Sequence, residues 1–157
     1  MSRFRVLHFA THGILDGMNP LYSHVVLSRS ASDSSEDGLL EAREIMQMDL
    51  KADLVVLSAC QTGRGRISRG EGVVGMSWAL FVAGCPTSVV SQWNVESNST
   101  TRLMIEFHRA LLSLNQGSAR VSSSAEALRQ AALKMLKTPG LSAPVLWAGF
   151  IVVGDGW

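Results

Sequence analysis

The chain has 157 residues, of which 46% are hydrophobic and 17% are charged, and its net charge is +1. This length and composition predict a single globular domain and exclude a disordered chain. The small net charge gives no electrostatic reason to expect a nucleic-acid or membrane partner.

The cysteine content and the apolar segments indicate the cellular compartment of the protein. Two cysteines, Cys60 and Cys85, are too few for a disulfide framework and are typical of a reducing compartment. Residues 1–6 lack the apolar core of a signal peptide. The most apolar stretch, residues 72–93, is interrupted by a Gly-Cys-Pro sequence, so neither half reaches the ~20 residues that cross a bilayer. We therefore expect a cytoplasmic protein.

Strand and helix patterns alternate along the chain. The predicted strands are residues 5–10, 53–58, 87–91 and 149–153, with a short hairpin pair at 24–27 and 38–40. The runs 53–58 and 149–153 are almost continuously apolar, which is typical of strands buried on both faces. The alternation predicts an α/β fold with a largely parallel central sheet.

Three helices are predicted from apolar periodicity and from their end signals. They cover residues 73–82, residues 100–114 and the segment that follows Ser123. Ser123 and Glu126 have the spacing of a capping box. The expected inward positions are Leu103, Phe107, Leu111 and Leu114 in the second helix, and Leu128, Ala132, Met135 and Leu136 in the third.

Polar residues follow the first two main strands directly. The first strand leads into Thr11-His12-Gly13, and the second leads into Ala59-Cys60-Gln61. Ligands of open parallel sheets bind beyond the carboxyl ends of the strands, so neighbouring strands would bring the imidazole and the thiol together. The histidine precedes the cysteine by 60 − 12 = 48 residues. The caspase signature has the same order, with its histidine about 50 residues upstream.

The chemistry of a cysteine peptidase uses both side chains. A free thiol is a weak nucleophile at neutral pH, and His12 as a neighbouring base would raise the thiolate fraction of Cys60. His12 would then protonate the leaving amine. The backbone N–H groups of Gly13 and Cys60 would hold the developing oxyanion, and one such donor contributes roughly 3 kcal/mol.

Four motifs together resemble a CHAT domain, the caspase-like peptidase domain often found behind tetratricopeptide (TPR) repeats. They are Ala10-Thr-His-Gly13, the segment 53–63 (DLVVLSACQTG), the segment 69–75 (RGEGVVG) and the closing segment 147–154 (WAGFIVVG). The resemblance covers essentially all 157 residues. It implies a caspase-like fold, a His12–Cys60 dyad and an oxyanion contact at Gly13.

The resemblance also carries expectations about substrate, cofactors and partners. It implies regulated, selective cleavage of a protein or peptide substrate without a cofactor or metal. It assigns the pocket for the residue before the scissile bond to the segment 91–96, and the predicted substrate-binding residues are Gln61, Trp93, Asn94 and Glu96. CHAT domains usually carry further strands and helices before the Ala-Thr-His-Gly motif. The sequence therefore predicts a partial domain over residues 1–157, which acts with an N-terminal TPR or sensor region and can oligomerise through an exposed sheet edge.

Two alternatives remain open. The missing strands favour a catalytically inactive CHAT-like interaction module. The string from Cys60 to Arg66 matches the C-x5-R loop of cysteine phosphatases, although Ala59 and Ile67 depart from the usual flanking residues. Among the other histidines, His8 lies within a strand and His24 and His108 have no partner motif, so none is predicted to be a catalyst.

Overall fold

The computed structural model describes residues 4–29, 37–58, 71–94, 96–118, 121 and 123–156, and for residues 71–74 it describes the backbone. The strands are β1 (Val6–Phe9), β2 (Gly13–Ile14), β3 (His24–Val26), β4 (Leu39–Glu41), β5 (Leu54–Leu57), β6 (Thr87–Ser91) and β7 (Phe150–Gly154). The helices are α1 (Ala42–Ile45), α2 (Glu71–Val82), α3 (Ser97–Leu114) and α4 (Ser124–Leu136), with short 3-10 helices at Pro20–Tyr22 and Pro144–Leu146.

The main sheet has four strands in the order β1-β5-β6-β7. β1, β5 and β6 are parallel to one another, and β7 runs antiparallel to β6 at the far edge. Parallel neighbours need crossover connections, and α2 supplies the one between β5 and β6. The predicted α/β class with a mostly parallel, helix-flanked sheet is confirmed.

A second, three-stranded antiparallel sheet lies beyond the end of β1. Its order is β2-β3-β4, so β3 is central and pairs with both neighbours. The predicted hairpin pair corresponds to β3 and β4, whereas β2 follows His12 directly and was not predicted.

Two hydrophobic cores cover the two faces of the main sheet, and β5 contributes to both. All four β5 residues are buried, as the continuous apolar run predicted. Val55 and Leu57 pack in one core with α1, α2 and the small sheet. Leu54 and Val56 pack in the other core with α3 and α4. Because successive side chains of a strand point to opposite faces, β5 packs against helices on both sides.

Two sequence expectations are corrected by β7 and by the start of α4. β7 is an edge strand and only Phe150 of its residues is buried, although its apolar run predicted burial on both faces. Ser123 adopts a left-handed backbone conformation with φ of 60° and forms no side-chain cap with α4. Its predicted capping partner, Glu126, instead pairs with Arg129.

The buried face of α4 is also shifted from the predicted one. Met135 is buried as expected, but Leu136 is 47% exposed and Leu128 is half-buried. The buried side chains are Ser124, Ala127, Ala131 and Met135. Small side chains face α3 because they let the two helices approach closely, a preference that apolar periodicity alone does not reveal.

No helix within the described ranges is both long enough and apolar enough to cross a membrane.

Candidate active site

The ends of β1 and β5 define the candidate site. The two strands are parallel neighbours, and their last paired residues are Phe9 and Leu57. His12 is three residues beyond Phe9, and Cys60 is three residues beyond Leu57. The condition on which the sequence argument depended, that these two strands are adjacent and parallel, is therefore met. Cys60 and Gln61 themselves lie outside the described residues.

His12 and Gly13 lie at the turn from the main sheet into the small sheet. The side chain of His12 is exposed, and its carbonyl oxygen accepts a hydrogen bond of 2.8 Å from the Val26 N–H. This bond makes His12 and Val26 a hydrogen-bonded antiparallel pair, so the next pair, Gly13 with Val25, is a non-hydrogen-bonded one. The Gly13 N–H consequently points away from β3, and Gly13 itself is buried at the start of the edge strand β2.

A hydroxyl strengthens the same turn. The Thr11 side chain donates a hydrogen bond of 2.5 Å to the carbonyl oxygen of Val26. The Val26 N–H donates to His12 as well, so both backbone polar groups of Val26 bind the segment just before β2. The backbone at His12 is therefore held by β3, while the imidazole remains accessible to solvent.

The predicted substrate-binding segment follows β6, the next parallel strand. Trp93 and Asn94 are exposed, and the Trp93 indole N–H donates to the carbonyl oxygen of Val145 at 3.2 Å. This bond links the segment to the 3-10 helix before β7. Trp93 therefore follows the third parallel strand of the main sheet with part of its ring open to solvent.

Glu96 caps helix α3. Its two carboxylate oxygens accept hydrogen bonds from the N–H groups of Asn98 and Ser99, at 2.8 and 2.7 Å. These bonds lower the pKa of the Glu96 carboxyl group, because they favour its charged form. The structure thus shows Glu96 as a helix cap, and its contact with substrate stays a prediction.

Cys85 is a buried structural residue, as expected. Its side chain is 2% exposed, and its thiol donates to the carbonyl oxygen of Thr87 at 3.2 Å. Burial raises the pKa of the Cys85 thiol, which keeps it protonated and unreactive at neutral pH.

The structure also brings together three polar side chains that the sequence did not connect. His8 Nε2 lies 2.7 Å from Ser58 Oγ, and His8 Nδ1 lies 3.1 Å from His108 Nε2. His8 lies in β1, Ser58 follows β5, and His108 lies in α3, so the separations along the chain are 50 and 100 residues. The only sequence signal was a polar residue in an apolar strand at position 8.

Metal ligands do not converge in the described part of the chain. No group of three or more His, Cys, Asp or Glu side chains there has the arrangement of a metal site.

Comparison with known proteins decides the family. A model of the CHAT domain matches residues 1–155. The chain belongs to the CHAT domain family. This family is part of a cysteine peptidase-like superfamily, so the resemblance carried by the four motifs is confirmed.

Two curated relatives of this CHAT domain are named for tetratricopeptide repeats. Both are called tetratricopeptide repeat protein 28, one from mouse and one from human, and each is 28% identical over 117 residues. The match covers 74% of this chain and 4% of each relative. The CHAT domain thus corresponds to a small part of those much longer proteins.

Proposed function

We propose that this CHAT domain is a cysteine endopeptidase in which Cys60 is the nucleophile and His12 is the general base. The observation that supports the proposal best is the parallel pairing of β1 with β5. In this pair Phe9 lies opposite Leu57, and His12 and Cys60 each follow three residues later in the sequence, so we expect the two side chains to meet at one edge of the sheet.

The proposed reaction uses groups of this chain alone. The Cys60 thiolate attacks the scissile carbonyl carbon after its proton passes to His12, and a C–S bond forms. His12 then gives this proton to the leaving amine as the C–N bond breaks. Water, deprotonated by His12, attacks the acyl-enzyme, releases the acid product and restores the thiol.

Electrostatic stabilisation of the oxyanion is assigned to backbone N–H groups at Gly13 and Cys60. The support for Gly13 is that its N–H is directed away from β3 and so is not used by the small sheet. Gly13 also has no side chain between its N–H and a bound substrate. One preorganised donor of this kind contributes roughly 3 kcal/mol to the transition state.

The segment after β6 is the proposed wall of the substrate pocket. Trp93 offers an exposed aromatic surface that its bond to Val145 holds in place. Gln61 and Asn94 are proposed to contact the substrate backbone. Glu96 is the weakest member of this set, because both of its oxygens already accept hydrogen bonds from α3.

We also propose that the domain works beside tetratricopeptide repeats. The support is the name of the relatives, whose own sequences extend far beyond the matched segment. Selective rather than general proteolysis is then expected, because attached repeats would present the substrate or control access to it.

Labelling by a peptide-based, thiol-reactive acyloxymethyl ketone tests the catalytic proposal. Cys60→Ala should abolish labelling, and His12→Ala should slow it by a factor of at least about 10³, since members of such a dyad act as a unit. Cys85→Ala is the matched control and should label like the parent, because that thiol is buried.

Two results would contradict the proposal. Equal labelling of the parent and Cys60→Ala would show that another group reacts. A parent that takes up no probe and cleaves no peptide in a diverse library, yet forms concentration-dependent oligomers, would favour the interaction module. Turnover of an aryl phosphate that depends on Cys60 and Arg66 would favour the phosphatase instead.

A further inference from the structure

Three side chains form a continuous polar contact next to the candidate site. Ser58, His8 and His108 are joined by distances of 2.7 and 3.1 Å, and the two imidazole rings have centroids 5.0 Å apart. Phe107 packs edge-on against the His108 ring at 5.2 Å and supports it from the core side. The contact is therefore built into the packing of α3 on the sheet.

This contact joins the elements that carry the candidate site. His8 is four residues before His12 in β1, and Ser58 is two residues before Cys60 at the end of β5. The Ser58 N–H also donates to the carbonyl oxygen of Phe9 at 3.2 Å, which continues the β1–β5 ladder by one bond. His108 contacts His8 and so links β1, and through His8 also Ser58, to α3, the helix that begins beyond Trp93.

The number of protons in the contact determines whether it can form. With both rings neutral, one hydrogen lies between His8 Nδ1 and His108 Nε2, and one lies between His8 Nε2 and Ser58 Oγ. A single imidazolium can be accommodated if the other ring changes tautomer. With both rings charged, each of the facing nitrogens carries a hydrogen, so the hydrogen bond is lost and two positive charges repel.

Among the described residues, no acidic side chain contacts either ring. On the elements that flank the pair, the neighbouring side chains are uncharged: Val6 on β1, Val56 and Ser58 at β5, and Met104, Ile105, Leu111 and Leu112 one turn away on α3. Arg102, six residues before His108 on α3, is exposed, and the charged groups nearest the pair on these elements have partners elsewhere. Arg5 pairs with Asp53 at the start of the strands, and Glu106 pairs with Arg109 and Lys134.

We infer that His8 and His108 are proton-sensitive positioning residues, which hold the ends of β1 and β5 in register while both rings are neutral and release them from α3 when both are protonated. This inference rests on the proposed function, because the strand ends matter for catalysis only if His12 and Cys60 are the working pair.

The acid–base properties of the pair agree in direction. Although His8 is an exposed residue, desolvation lowers the pKa of its imidazole, and the neighbouring His108 lowers it further. Desolvation also lowers the pKa of His108. An unfolded histidine titrates near 6.5, so the unfolded state binds protons first as the pH falls. Stability attributed to the pair is therefore complete above about pH 6.5 and decreases as the pH falls toward the lower folded values.

Equilibrium unfolding against pH tests the pair without reference to catalysis. His8→Gln and His108→Gln retain hydrogen-bonding groups but do not titrate, and His24→Gln in the small sheet is the matched control. Between pH 7.5 and 5.5, the unfolding equilibrium constant should rise in the parent by up to about tenfold more than in either pair variant. His24→Gln should behave like the parent. Equal slopes in the parent and both pair variants would overturn the inference.

Ring titration by NMR provides a second measurement that needs no variant. We expect both His8 and His108 to titrate below the ordinary histidine value in the folded chain. Titration of both rings at that ordinary value, independently of each other, would overturn the inference even if the variants fail to fold.

The pH profile of probe labelling separates this inference from the proposed function. The labelling rate of the parent should fall on acidification about threefold more than that of His108→Gln, which a purely structural role would not produce. A labelled parent with the same profile as His108→Gln would overturn the positioning role alone. A parent unlabelled at pH 7.5 would overturn the proposed function, and the positioning role would be lost with it.

Discussion

At the scale of single residues, Glu96 illustrates how one side chain can be assigned two roles. Its position after the pocket strand predicted a contact with substrate, whereas both of its carboxylate oxygens accept hydrogen bonds from the first turn of α3. Ser99 completes the cap by donating its hydroxyl to the Glu96 carbonyl oxygen at 2.8 Å. A carboxylate at this position also interacts favourably with the helix dipole.

Replacement of Glu96 distinguishes capping from substrate recognition. Glu96→Ala should lower the unfolding temperature by a few degrees, because the N–H groups of Asn98 and Ser99 lose their acceptors. Glu96→Asp should retain most of the stability, since aspartate is a favoured N-cap residue. The lowered pKa of Glu96 adds a pH signature: its stabilising effect should disappear as the pH falls through that folded pKa.

Thermal unfolding and probe labelling of the same variants give the answer. A Glu96→Ala variant with parental stability but altered preference among peptide probes would contradict the capping role and favour the contact with substrate.

At the scale of elements, α3 is the helix that the sequence describes best. Leu103, Phe107 and Leu111 were predicted to lie on one stripe and are all buried against the sheet. Leu114, expected on the same stripe, is 39% exposed because it is the last residue of the helix. Periodicity thus predicts which face of a helix is buried but not where along the helix the burial ends.

Truncations on the two faces of α3 should have very different effects. Phe107 is fully buried between α3 and β5, so Phe107→Ala should lower the free energy of unfolding by about 3–5 kcal/mol. Leu112 is 73% exposed on the same helix, and Leu112→Ala should change it by less than about 0.5 kcal/mol. Urea unfolding monitored by circular dichroism would measure both changes, and equal losses would contradict the packing of α3 described above.

At the scale of the whole molecule, the small sheet and the main sheet are joined through α2. The 3-10 helix at Pro20–Tyr22, between β2 and β3, packs against α2 at Gly75. A Cβ atom at residue 75 would lie 2.6 Å from the Pro20 Cβ and 3.3 Å from its carbonyl oxygen. The absence of a side chain at Gly75 therefore permits the close approach that holds β2, and with it His12, against the main body.

Gly75→Ala tests this close approach. Alanine has a helix propensity better by about 1 kcal/mol. The clash with the rigid Pro20 ring should cost more than this, since overpacking typically costs about 1–3 kcal/mol. We expect a net loss in the free energy of unfolding, measured by urea denaturation. Pro20→Gly removes the opposing Cβ. The free energy lost on Gly75→Ala should therefore be smaller in the Pro20→Gly variant than in the parent. A Gly75→Ala variant more stable than the parent would contradict the contact.

The sequence by itself determined the α/β class, the positions of the four main strands and the location of His12 and Cys60 just beyond two of them. These features depend on local patterns, because apolar periodicity and strand-end position are properties of short segments. Apolar runs did not reveal that β7 lies antiparallel at an edge, and the Ser123–Glu126 spacing did not reveal that the Ser123 side chain forms no cap for α4.

Only the tertiary structure decided which strands are neighbours and which distant side chains meet. The pairing of β1 with β5 joins residues 57 − 9 = 48 positions apart, and the contacts of His8 with Ser58 and His108 join side chains 50 and 100 positions apart. Such contacts follow from the order of strands in the sheet and from the packing of a helix across it. No local pattern encodes them, because their partners come together only when the whole core forms.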